Sequence, residues 1–265
     1  MNNVFMNEKG NYRILAEGKY INNNTWETGL NNNDLIVGVS GAGKTRSYVI
    51  PNILQCNGSM IVVDTKNQLC KTYSSQLKKS GYQVWNLNFS RMEKSPMGYN
   101  PLNYLGKSSQ DIDMLAKAMC PIETQKDPFW DHAAAMVLSV LISYVMEALP
   151  KEEQHLGSVA RLQGLLNTTA FDFLMKEWET AHPDSYAAKK WHLFSDTKSA
   201  DKTNASTNYI LGEKLSSFLS PGCEKMYNNK KQIDFATMGY QKTALFINVS
   251  DSDRSADKML NLFYT

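Results

Sequence analysis

The sequence has little that would staple a chain or anchor it. Its four cysteines, Cys56, Cys70, Cys120 and Cys223, stand far apart with no Cys-x-x-Cys pair. Its four histidines, His132, His155, His182 and His192, show neither His-x-x-x-His nor zinc-finger spacing. That argues against a disulfide framework or a structural zinc site, and reduced cytosolic thiols are the natural reading. Charge is also nearly absent in sum: 28 basic against 26 acidic residues leaves +2. So balanced a chain does not coat nucleic acid by bulk electrostatics, and any such contact must be local. No apolar run follows a basic start in MNNVFMNEKGNYR, which is not a signal peptide. The apolar stretch from Ala133 to Met146 is shorter than the ~20 residues a bilayer requires. Asp131 and His132 precede it and Glu147 follows, so a buried helix is expected. No internal repeat is visible, and no apolar run ends in Asp-Glu.

What is present is a globular composition, 42% apolar and 11% aromatic over 265 residues, enough for one large domain or two modest ones. Around Arg13-Ile14-Leu15 and Tyr20-Ile21 the pattern reads as a hairpin, with turn-prone Asn22–Asn24 and Asn31–Asn33 after it. Then strands and helices alternate. Asp34–Val37 reads as a strand, Lys44–Gln55 as a helix with Pro51 breaking or kinking it near its end, and Met60–Asp64 as a strand. Gln68–Ser80 reads as a helix stopped by Gly81, and Tyr82–Leu87 as a third strand. Such alternation predicts an α/β fold whose mostly parallel sheet is covered on both faces.

Beyond Asn100-Pro101 the period turns helical. Helices are expected at Ser109–Met119, Pro128–Ala148, Ser158–Leu166, Phe171–Trp178, Asp184–Trp191 and Ala205–Leu219, with Asp127-Pro128 as a cap-and-proline start. A strand returns at Thr243–Val249, and a helix begins near Arg254. The expected division is an N-terminal strand and loop segment at 1–33, an α/β domain from 34–104 and 233–265, and an all-α insert at 105–232.

One motif carries chemistry. Gly38-Val39-Ser40-Gly41-Ala42-Gly43-Lys44-Thr45 fits the phosphate-binding pattern G-x-x-x-x-G-K-[ST] in full, between an expected strand and an expected helix. The glycines let the backbone curl so that successive N–H groups face one centre, at the positive end of a helix. Lys44 is then placed for the β- and γ-phosphates of ATP, and the Thr45 hydroxyl for Mg²⁺. A lysine in the first helical turn opposes the helix dipole, which argues against a chance match that binds no anion.

The other candidates each have two readings. Asp64 ends an apolar strand and is either an accessory carboxylate for Mg²⁺ or the cap of the helix starting near Gln68. Asp251 and Asp253 follow another strand. Arg254 is either an arginine finger aimed at a neighbouring subunit or a surface residue. In Asp127-Pro-Phe-Trp130-Asp131, Phe129 and Trp130 are either a recognition element or core anchors of the long helix, the latter being favoured. Lys189-Lys190 and Lys230-Lys231 either touch nucleic-acid phosphates or are solvated; residues 151–232 carry eleven basic and ten acidic side chains, which favours solvation.

Together these segments resemble a family. The order LIVGVSGAGKTRSYVIPNIL, MIVVDTK, GYQVWNLNF, YNPLNY, DPFWDHAAAMVLSVLI and TALFINVSDSDRSADKMLNLFYT is similar to the TraG-like coupling proteins of conjugation and type IV secretion, from about residue 30 to residue 265. The resemblance implies a RecA-like P-loop domain interrupted by an all-α domain. It also implies a hexameric, membrane-anchored ATPase at the cytoplasmic face of the membrane. Such a protein brings a relaxase–DNA complex, or protein substrates, to a secretion channel. The family's Asp-Pro-Lys-Gly-Glu is here Asp64-Thr65-Lys66-Asn67-Gln68, with an amide in place of the last carboxylate. The family's transmembrane helices and its strand ending in Asp-Glu have no counterpart in these residues, so the sequence reads as a segment of a longer protein or a degenerate relative. ATP binding without appreciable turnover is therefore the expectation. The alternatives are a non-catalytic module that binds nucleotide and a partner, and a small-molecule kinase, whose usual arginine-rich lid is not seen.

Overall fold

The computed structural model describes residues 11–106, 108–122, 128–197 and 201–265, without the side chains of 196, 197 and 201–204. The chain separates into two compact units: residues 1–86 with 234–248, and residues 87–233 with 249–265. In chain order the elements are β1 (Tyr12–Ala16), β2 (Lys19–Asn22), α1 (Thr25–Thr28), a π-turn at Thr45–Val49 running into α2 (Ile50–Leu54), β3 (Met60–Val63), α3 (Leu69–Lys79) and β4 (Gln83–Asn88). The helices α4 (Ser109–Met119), α5 (Phe129–Ala148), α6 (Leu156–Gln163), α7 (Thr169–Ala181), α8 (Tyr186–Thr197), α9 (Asp201–Ser216) and α10 (Pro221–Tyr227) follow. The chain ends with α11 (Phe235–Tyr240), β5 (Thr243–Asn248) and α12 (Asp257–Tyr264).

In the first unit, β1 and β2 form the expected antiparallel hairpin, turned at Gly18 with φ +67°. A parallel sheet has the order β3–β5–β4. Met60 pairs with Ala244 and Val63 with Ile247. The central strand β5 is buried at every position, as a strand flanked on both sides must be. Val49 and Ile53 from the helix after the loop, Cys70 and Leu77 from α3, and Ala244 and Phe246 from β5 make one apolar cluster. Helix α3 stops where Gly81 takes φ +83°, a conformation a side chain would resist.

Two expectations fail here. Asp34–Val37 is not a strand: it makes no ladder and leaves Leu35 88% and Val37 83% exposed. The sheet is also not covered on both faces, because β3 lies at its edge with Ile61 and Val63 half exposed. Pro51 does mark a change of helical register. The turns before it are π-type, with the Ile50 amide donating to the Thr45 carbonyl, and regular α-helix resumes around the proline. A residue without an N–H, whose ring crowds the carbonyl four residues back, fits such a widened turn.

The second unit is helical, centred on α5, which packs against α4, α6, α8 and α9. Ser108 caps α4 by accepting from the Gln110 amide, and Ser220 caps α10 with Pro221 at its start. Among the described residues, α5 alone is long and apolar enough to span a membrane by length and composition. Ala134, Val137, Leu138, Val140, Leu141, Ile142 and Val145 are all buried within the unit, as the sequence predicts for a core helix. The Asp127 cap lies outside the described residues. Phe129 and Trp130 are not core anchors: Phe129 is 54% exposed and stacks edge-on with Trp130 at 5.1 Å. A buried ion pair joins Lys214 of α9 to Asp131 of α5 at 3.0 Å. Lys190 is not simply solvated, since it binds Asp113 at 2.9 Å, where Ser139 and Tyr186 also donate.

Candidate phosphate-binding loop

Residues 38–45 form a compact loop in the first unit. Gly41 and Gly43 take φ +79° and +81°, which side chains rarely adopt, and a Cβ on Gly38 would meet the Ala42 methyl at 3.3 Å. The Ala42 amide is committed to the Val39 carbonyl at 3.2 Å. Among the described residues, the Gly41 and Gly43 amides make no hydrogen bond. Lys44 folds over the loop, its Nζ donating to the carbonyls of Gly38 at 2.5 Å and Val39 at 2.9 Å. An anion at the loop centre would compete with these neutral carbonyls for the ammonium, and charge-assisted bonds are roughly twice as strong as neutral ones. Thr45, in the first helical turn, is exposed. Open amides, an ammonium and a free-standing hydroxyl on one loop are a fitting donor set for phosphate oxygens and for the metal that accompanies them.

The loop is held at its flanks by residues that the sequence did not single out. Asp34, just before it, accepts from Arg13 Nε at 2.6 Å and from the Tyr48 hydroxyl at 2.8 Å, and Tyr48 lies in the turn that follows the loop. Burial pushes the Asp34 carboxyl up, but the bonds from Arg13 and Tyr48 and the guanidinium charge outweigh it and hold the group below the usual range. The Tyr48 hydroxyl is pushed up to about 12, first by burial and then by its bond to that carboxylate. Arg13 also donates to Asn23, Asn32 and the Asn31 carbonyl. The asparagine clusters at 22–24 and 31–33 are thus partly a socket for one guanidinium. Asn52 reinforces the arrangement by pairing both ways with the Ile14 backbone at 2.8 Å.

Asp64 is 4% exposed, and its Oδ2 accepts from the amides of Leu69 at 2.8 Å and Cys70 at 3.3 Å. It therefore does hold the start of α3. Asn67 takes φ +51°. It stands where the Asp-Pro-Lys-Gly-Glu pattern has glycine, and asparagine is among the few residues that tolerate that region. Arg254 belongs to the second unit, precedes α12 rather than opening it, and is 85% exposed in its side chain, with Asp257 at 3.1 Å. Asp253 lies in the same polar turn and accepts from the Ser255 amide.

Comparison with known proteins completes the picture. In fold the chain is similar to a bacterial conjugative coupling protein, TrwBdeltaN70, in an unbound monoclinic form. The TM-score is 0.57 at 17% identity, over 85% of this chain and 48% of that one. It is also similar to the plasmid coupling protein TrwB in complex with a non-hydrolysable GTP analogue, with TM-score 0.55, 17% identity and 85% and 49% coverage. A trigonal form of TrwBdeltaN70 with sulphate gives 0.55 at 15% identity, over 96% and 58%. The chain thus spans about half the length of the solved structures that it matches. No curated protein sequence matches it. These matches bear out the expected RecA-like P-loop fold. The model of the type IV secretory system conjugative DNA transfer family matches residues 4–265, and the chain belongs to that family.

Proposed function

We propose that the first unit is the nucleotide-binding part of a conjugative coupling protein and takes ATP with Mg²⁺ at residues 38–45. The observation that carries this reading is the loop: two glycines at positive φ with open amides, and Lys44 resting on carbonyls that a phosphate would displace. The coupling protein TrwB, of similar fold, has been solved with a GTP analogue. Lys44 would hold the β- and γ-phosphates, Thr45 the Mg²⁺, and the backbone from Gly38 to Gly43 the remaining oxygens. Bound ATP supplies the phosphoanhydride bond whose cleavage can drive transfer. As in the family, the protein would assemble as a hexameric ring at the cytoplasmic face of the membrane. There it would bring a relaxase–DNA complex or protein substrates to the type IV secretion channel, with DNA contact along the way.

A second reading, binding without turnover, is favoured by one observation. The Asp64 carboxylate is fixed at the start of α3, its Oδ2 accepting from the amides of Leu69 and Cys70, so the helix sets its orientation and only Oδ1 is left for any other partner. Arg254 remains a candidate finger for a neighbouring subunit's phosphate. The decisive measurement is calorimetric titration of Mg·ATP into wild type and Lys44→Ala. Loss of one charge-assisted contact should weaken binding by about tenfold or more. Equal affinities would remove residues 38–45 as the site.

A further inference from the structure

Apart from the loop, one cluster of the first unit is short of hydrogen-bond donors, and its one carboxylate is met only by the amides that open α3. At the carboxyl ends of β3 and β5 three residues converge on the Asp64 peptide. Its amide donates to the Ile247 carbonyl at 2.9 Å, and its carbonyl accepts from the Asn67 amide and from Asn248 Nδ2, each at 3.2 Å. Asn248 is 1% exposed. With its Nδ2 committed, its Oδ1 is a buried acceptor with no donor among the described residues, and Asn67 Oδ1 is another. Asp64 is a nearly buried carboxylate with no ion pair among the described residues, and both of its bonds to α3 use Oδ2, leaving Oδ1 out.

Three oxygens that can only accept, one of them anionic, set a narrow requirement. A buried amide oxygen without a donor costs free energy, and a buried carboxylate met only by the amides and dipole of a helix start is compensated only in part. A neutral donor would satisfy the oxygens and leave the charge. A hard cation with part of its water shell answers both, since carboxylate and amide oxygens are its ordinary ligands. The position agrees, because parallel sheets bind ligands beyond the carboxyl ends of their strands. We propose that Asp64, Asn67 and Asn248 form a site for a hydrated divalent cation. This goes beyond the nucleotide reading and requires no nucleotide.

The test is titration of Mn²⁺ into the whole chain without nucleotide, followed by electron paramagnetic resonance. One ion per chain is expected, displaced by excess Mg²⁺. Asn67→Gly keeps the left-handed backbone and deletes the oxygen, and should weaken Mn²⁺ by at least about tenfold, the usual cost of disturbing a metal site's support. Asn248→Leu should do the same; should it fail to fold, Asn67→Gly decides. No Mn²⁺ bound up to about 1 mM, the weak end of natural hard-cation sites, overturns the proposal, as does unchanged affinity in Asn67→Gly. Thr45→Ala separates this site from the phosphate loop. Retention of Mn²⁺ there supports the proposal whether or not the loop binds ATP, and its loss assigns the ion to the loop and overturns the proposal.

Discussion

The two units reach order by different routes. In the helical unit the middle of α5 is covered by its neighbours: Val137, Leu138, Val140, Leu141 and Ile142 are all at most 1% exposed. In the α/β unit only β5 is covered throughout, while β3 shows half of Ile61 and Val63 to solvent and the segment before the loop shows nearly all of Leu35 and Val37. Helices complete all but their terminal backbone hydrogen bonds internally, so beyond their caps packing is the main further demand on them. A strand is finished only when another strand lies beside it. The helical unit should therefore be intolerant of changes in its core, and the α/β unit tolerant before its loop and demanding within it.

The largest effect is expected from Val140→Asp. The side chain sits at the middle of α5 and is 1% exposed, in a helix packed against α4, α6, α8 and α9. Burying a carboxylate there without a partner should cost more than about 4 kcal/mol, the range that marks a broken core. Thermal unfolding followed by circular dichroism measures it. A loss below about 0.5 kcal/mol would mean that α5 is not the core helix, and the contrast between the units would fall with it.

A smaller effect belongs to His155. Its Nδ1 accepts from the Ser158 amide at the start of α6, its ring stacks on Tyr227 at 5.9 Å, and it is 6% exposed. Its pKa is lowered by burial first and by the Arg161 charge second, against the opposing pull of Glu224 and Glu153. The sign follows. Above the ordinary histidine pKa of about 6.5 both folded and unfolded chains hold it neutral, and the cap is intact. As pH falls below that value the unfolded chain takes the proton first, so stability drops, by no more than about 1.4 kcal/mol per pH unit, until the folded pKa is reached. Denaturant unfolding at pH 7.5 and 5.5 should show this loss, and His155→Asn, which keeps a capping acceptor, should remove most of it. An equal loss in the variant would place the titration elsewhere.

How far the sequence could be read follows the same division. The bounds of α4 emerged residue for residue, because Ser108 caps it and its apolar spacing is local. Helix α10 went unread although Ser220-Pro221 announces it, since seven residues are too few for a period to show. The loop at 38–45 was complete in the sequence, because its demands fall on residue type at fixed spacing. Its clamp was not: Arg13, Asp34 and Tyr48 are far apart in the chain and meet only when the hairpin folds back. Asp64 showed both of its readings, and its bonds to Leu69 and Cys70 establish the cap. Asn248 carried no signal at all, being one polar residue at the end of an apolar strand.

The smallest expected effect is the one that tests this reading of the α/β unit most sharply. Asp34-Leu35-Ile36-Val37 has the composition of a buried parallel strand, and on that pattern alone Val37→Ser should cost about 1–3 kcal/mol from lost apolar burial and weakened strand propensity. In the structure Val37 is 83% exposed and pairs with no strand, so little apolar area is there to lose. The anchor of the segment is instead Asp34, through Arg13 and Tyr48, and the substitution leaves it untouched. Val37→Ser is therefore expected to change stability by less than about 0.5 kcal/mol, the ordinary range for a surface position. Urea unfolding of the chain without nucleotide is the measurement. A cost above about 1.5 kcal/mol would mean that the segment pairs within the sheet in solution. Repeating the comparison with saturating Mg·ATP asks whether nucleotide changes that: a penalty that appears only then would show that loop occupancy and burial of this segment are thermodynamically linked.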